Sequence, residues 1–230
     1  MPVVSADRSI LEAAGRIAFV LFLASASPWS TQAAEPLKDW PCKEPLVAPL
    51  TAAMVWPDRH PEALAALPAE RAWEADPRVR DLVEYALNPE NTPALGAEAI
   101  ARFAREAGEP GRDRRAELTL ALSGVVDLTN RLRGIMVEGV GLNVVRSKIL
   151  AEEVNANSAA LTQVSGDTGS GNTGSGNTGG PTVSDVRQAR FWNLRRLDKT
   201  EDDAAMICRK LAYSERKLRT LAQAVSQAMD

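Results

Sequence analysis

The chain has 230 residues and a mass of 24.7 kDa, enough for one ordinary domain and too little for two large ones. Lys and Arg number 27 against 30 Asp and Glu, a net charge of −3 that argues against a general nucleic-acid binder. One histidine excludes a multi-histidine metal site within the chain, and two cysteines allow at most one internal disulfide.

The first segment has the layout of a secretory signal peptide. Ile17 to Ala24 is an uninterrupted apolar run of eight, preceded by Arg8 and Arg16 and followed by small residues. Two small-x-small cleavage patterns follow, Ala24-Ser25-Ala26 and Thr31-Gln32-Ala33. A membrane anchor needs about 20 apolar residues, and Pro28 arrives too early for one. Residues 1–33 are therefore expected to direct export to the periplasm and to be removed. In an oxidising compartment the isolated pair Cys42 and Cys208 is most simply one structural disulfide. Neither cysteine belongs to a Cys-x-x-Cys motif, which weighs against a catalytic thiol.

Residues 34–110 contain 11 of the 14 prolines. Proline starts or ends helices, so only short ones fit, at Glu44–Met54, Pro77–Leu87 and Pro93–Ala107. In the last, Leu95, Ala99, Ile100 and Phe103 share a face. Trp40, Trp56 and Trp73 are expected to anchor this half in the core rather than to face a partner.

Residues 111–162 read as one long helix capped by Asp113. Leu118, Ala121, Val125, Leu128, Leu132, Ile135, Gly139, Leu142 and Ile149 alternate in steps of three and four, with Arg146 filling one slot, a heptad seam expected to pack against a neighbouring helix. Gly134, Gly139 and Gly141 suggest a close crossing or a kink near 139–141. A linker follows over 163–182, holding a pentapeptide of the form Ser-Gly-Asp/Asn-Thr-Gly three times over. It lacks the nonapeptide of calcium-binding repeats. Residues 183–230 supply two further helices, from about Ser184 to Leu197 and from about Thr200 to Ala228, the second started by Thr200 with Asp203 in a capping box. The expected fold is all-α, a helical bundle built on a long antiparallel hairpin with the proline-rich short helices packed on it.

No motif carries a recognisable chemistry. His60 lies in a proline-bounded loop without a nucleophile elbow, and no phosphate loop, dinucleotide turn or metal-ligand spacing occurs. No catalytic residue, metal or cofactor is assigned. Trp56, Arg59 and His60 would be the residues of a small-ligand or catalytic site between the proline-rich half and the bundle, should one exist. Arg187, Arg190, Phe191, Trp192 and Arg195 form a short basic and aromatic stretch suited to an acidic partner or, less favoured, an anionic membrane surface. Residues 34–110 carry 14 acidic and eight basic side chains, whereas those after 110 carry 14 acidic and 17 basic. That split favours packing of this stretch within the chain, with Phe191 and Trp192 turned inward.

Asp39-Trp40-Pro41-Cys42, Val55-Trp56 and the stretch from Leu128 to Ile135 together resemble a group of uncharacterised exported helical proteins of proteobacteria. The resemblance spans about a third of the chain. It implies export and a helical fold and carries over no catalytic residue. The function expected on these grounds is non-enzymatic contact with another periplasmic protein, or with a second copy of the chain itself.

Overall fold

The computed structural model describes residues 39–46, 49–56, 60–167 and 181–230. The expected signal segment, Arg59 and most of the pentapeptide repeat lie outside the described residues. Among the described residues every regular element is helical: α1 (Ala52–Val55), α2 (Pro61–Ala65), a 3-10 turn (Ala72–Ala75), α3 (Pro77–Leu87), α4 (Pro93–Ala107), α5 (Arg114–Asp167) and α6 (Val183–Met229).

Proline and capping chemistry set α3 and α4 as the sequence implies. Asp76 accepts from the backbone N–H groups of Arg78 (2.9 Å) and Val79 (3.2 Å) ahead of Pro77, and α3 then buries Val79, Leu82, Val83, Ala86 and Leu87 at helical spacing. Thr92 caps α4 ahead of Pro93. Ala99, Ile100 and Phe103 of α4 are buried, while Leu95 faces outward. The helix expected over Glu44–Met54 does not form. In its place an irregular strap over 39–46 leads toward the single turn of α1, because Pro45 and Pro49 interrupt the ladder.

α5 and α6 form an antiparallel hairpin, α5 extending about 80 Å at the usual helical rise. Asp113 starts α5 as expected, its carboxylate accepting from the Ala116 N–H at 3.0 Å. No break occurs at 139–141, where Asn143 Nδ2 donates to the Gly139 carbonyl at 3.0 Å, and the helix runs past 162 to Asp167. α6 is a single helix, which corrects the expected division near Lys199. Thr200 is buried within it and donates to the Arg196 carbonyl at 2.7 Å, so it continues the helix instead of capping one. The true start is a capping box at Thr182 and Asp185. There the Asp185 carboxyl lies below its usual range because the Thr182 hydroxyl and backbone N–H both donate to it.

The core sits at the end of the hairpin formed by the start of α5 and the end of α6, where the short helices pack. Trp73, Val83, Ile100, Phe103, Leu118, Leu122, Val125, Leu218, Leu221 and Val225 form one buried cluster from α3, α4 and the facing halves of α5 and α6. Trp73 and Trp56 are core residues, as expected, whereas Trp40 is half-buried on the strap outside the core cluster, its indole donating to the Glu44 carbonyl at 2.8 Å. The Trp73 indole donates to Asp127 at 2.9 Å, and Arg131 lies over its ring while pairing with Glu74 at 3.0 Å. The Asn130 amide donates to the Leu50 carbonyl (2.7 Å) and accepts from the Leu50 N–H (2.9 Å), replacing the partners a strand would give. Lys217, buried, donates from Nζ to the Asn88 and Asn91 carbonyls at 2.7 Å each, a cation on the exposed carbonyl end of α3.

Beyond residue 131 the hairpin is a two-helix stalk. Its inner seam on α5 runs through Thr129, Arg133, Val140 and Leu150, and the 5 %-exposed Arg133 donates to Glu215 at 2.8 Å within it. Such a buried pair fixes the register of the two helices. Cys42 of the strap is bonded to Cys208 of α6, with Cα atoms 5.4 Å apart across 166 residues of sequence. Asp39 of the strap also pairs with Lys148 of α5.

Candidate functional site

His60 precedes α2 and is buried, because α6 closes over it. Its Nε2 lies 3.1 Å from Asp230 Oδ1 and its Nδ1 3.6 Å from Glu62 Oε1. The Trp56 indole, 5 % exposed, donates to the His60 carbonyl at 3.2 Å. Trp56 and His60 are thus joined, but as part of the packing between α1 and the end of α6. A cleft of about 410 Å³ opens beside Trp56, lined by Met54, Val55, Arg219, Gln223, Ser226 and Gln227. His60 does not line it, and the polar residues that do are spread along one helix face. No nucleophile is paired with a base there. Among the described residues no cluster of His, Cys, Asp and Glu is arranged to hold a metal, and both cysteines are bonded.

The second set of residues stands on the stalk. Val186 of α6 is buried against α5, with Leu194 and Leu197 half-buried on the same side. The 3.6-residue period then carries the intervening side chains outward. Phe191 and Trp192 are 52 % and 50 % exposed, which corrects the expectation that they turn inward. The reason is that α6 does not stop at Leu197. Held in one continuous hairpin, this stretch meets only α5 among the described residues, and no third helix among them covers its outer side. The two rings meet edge to face with centroids 5.3 Å apart, and the Arg195 guanidinium lies 5.6 Å from the Phe191 centroid. Arg190 donates from Nε to Ser158 of α5 at 3.0 Å, and Arg187 is exposed one turn before Phe191. The pairing of these arginines with the acidic proline-rich half is absent from the described contacts, since that half packs at the other end of the hairpin. Aromatic faces backed by three guanidinium groups suit an acidic, apolar-centred protein surface.

Sequence reasoning missed a third feature, the outer side of α5. Leu132, Ile135, Leu142, Val145 and Ile149 are 40–68 % exposed, although the heptad pattern assigns most of them to a buried seam. α5 carries two stripes in the same steps of three and four, the outer one apolar and the inner one mixed. Near the core α3 and the 3-10 turn cover the outer one, and past Leu132 nothing in the described residues does. The signal was present as a second register, Thr129, Arg133, Val140 and Leu150, interleaved with the first.

The architecture is that of a helical hairpin with a compact core at one end and a two-helix stalk, braced by the strap, at the other. No helix among the described residues is long and apolar enough to cross a membrane. No family model, curated protein or solved structure matches the chain.

Proposed function

We propose that the protein is exported to the periplasm and acts there without catalysis, by protein–protein contact, as an accessory or assembly factor for another exported protein. The observation that carries this reading is the exposed Phe191–Trp192 pair with Arg187, Arg190 and Arg195 around it, on a stalk projecting from a fully packed core. Large aromatics and arginines are the residue types that dominate binding energy at interfaces, and leaving two adjacent rings in water serves no purpose in folding. Export is supported by the apolar run before two cleavage patterns and by the Cys42–Cys208 bond, which persists where thiols are oxidised.

A photo-crosslinking residue at Trp192, expressed in a bacterial periplasm, tests it. The expected result is a discrete adduct with one protein, lost when Arg195 is replaced by Glu. Absence of any adduct, together with turnover of a substrate by the purified chain, would refute the proposal.

A further inference from the structure

The uncovered stripe of α5 has the periodicity of an interface and lies on the side away from α6. Ile135, Leu142 and Ile149 are spaced by seven residues and are 68 %, 66 % and 52 % exposed, with Leu132 and Val145 flanking them. A seven-residue apolar repeat is the pattern that another helix covers. Isolated exposed apolar residues are ordinary on a soluble protein, but five in register on one helix face are a contiguous patch. The strap cannot be the cover, because it lies along the groove holding Lys148 and Cys208.

We infer that a second copy of this chain covers the stripe, with the two α5 helices antiparallel and a two-fold axis passing beside Leu142. Such an axis pairs each residue with the one equidistant from Leu142 on the partner helix. Leu142 then meets its own copy, and Ile135 meets Ile149. Glu138 falls opposite Arg146, twice, by symmetry. Both are exposed, and no ion pair within the described residues engages either of them. The parallel alternative stacks Arg146 on Arg146 and Glu138 beside Glu138, so the charge pattern selects the antiparallel arrangement. The apolar area on offer is on the order of 500 Å² per copy, and the flanking charged residues bring it toward the roughly 800 Å² of a standard interface. Contact is confined to about 132–152. On the N-terminal side of Leu132 the flank is occupied by Arg131 and Trp73, so the partner helix must cross there at an angle. The dimer face lies on α5, separate from the Phe191–Trp192 face on α6.

Sedimentation equilibrium of the disulfide-bonded chain tests the inference, using the unaltered protein, Leu142→Glu, Glu138→Arg, Arg146→Glu and the double reversal. Circular dichroism checks that each variant is folded, since all three positions are exposed. The expected result is twice the monomer mass at micromolar concentration. Leu142→Glu should abolish dimerisation, each single reversal should weaken it roughly tenfold, and the double reversal should restore it. A mass of one chain at all concentrations would overturn the inference. So would a folded Leu142→Glu that still dimerises, or a double reversal as weak as the singles.

Discussion

Replacing Gly124 by Ala should destabilise the protein, whereas the same substitution at Gly134, ten residues on in the same helix, should stabilise it. A methyl at Gly124 would stand 2.8 Å from Val83 Cγ2 and 2.9 Å from Trp73 Cγ and Cδ2. Val83 is fully buried and Trp73 is 2 % exposed. The indole cannot retreat, because its N–H is bound to Asp127 and Arg131 covers its face. Overpacking of this kind costs about 1–3 kcal/mol, against roughly 1 kcal/mol gained in helix propensity. The net expectation is a loss of up to about 2 kcal/mol. At Gly134 nothing lies within 4 Å of the added methyl, so only the propensity gain of about 1 kcal/mol acts. Urea unfolding followed at 222 nm, at one protein concentration, gives both midpoints with the slope as a control on two-state behaviour. Should Gly124→Ala raise the midpoint as Gly134→Ala does, the close approach of Trp73 to α5 is wrong.

Asn130→Ala removes both hydrogen bonds to the Leu50 backbone and should lower stability by about 1–3 kcal/mol, while Asn130→Asp, which retains only an acceptor, should fall between; equal stability of all three would show the amide to be idle. Cys42→Ser with Cys208→Ser should cost up to about 5 kcal/mol by loop closure yet leave the helical content intact, since neither cysteine belongs to the core cluster or to the caps of α3 to α6. Loss of the circular dichroism signal in unheated protein would contradict this. Burial holds the Lys217 pKa below its ordinary value of 10.5. Between that depressed pKa and the unfolded one, the unfolded chain binds more protons, so the stability this residue contributes rises with pH through that window. The advantage of the unaltered protein over Lys217→Met should therefore grow on approach to about pH 10.5, and a constant difference would refute it.

Local chemistry in the sequence was sufficient for α3 and α4, because Pro77 and Pro93 follow their own caps, and for α5's start at Asp113, but not for the helix expected over Glu44–Met54, which Pro45 and Pro49 interrupt. The pairing of Cys42 with Cys208 needed only arithmetic. Three features needed tertiary information. Thr200 and Asp203 have capping chemistry, but α5 lies alongside and keeps α6 helical through them, while Thr182 and Asp185 do the capping. The heptad from Leu118 to Ile149 is one continuous stripe in sequence, yet its surroundings change at Leu132, where the proline-rich layer ends. Phe191 and Trp192 have the composition of core residues, but among the described residues no third helix lies beside the stalk to cover them. In each case the local pattern was right and the neighbour was unknown.

The Cys42–Cys208 bond also decides where force goes. A pull applied through the residues before Asp39 must pass into the molecule at Cys208, in the middle of α6. The Asp39–Lys148 pair would peel first. The covalent bond then carries the load, and the segment after Cys42 stays slack. The short helices and the tryptophan core behind that segment are mechanically bypassed. With the bond reduced, the same pull would be taken up by Leu50 and its two hydrogen bonds to Asn130, and the core would be opened from its edge.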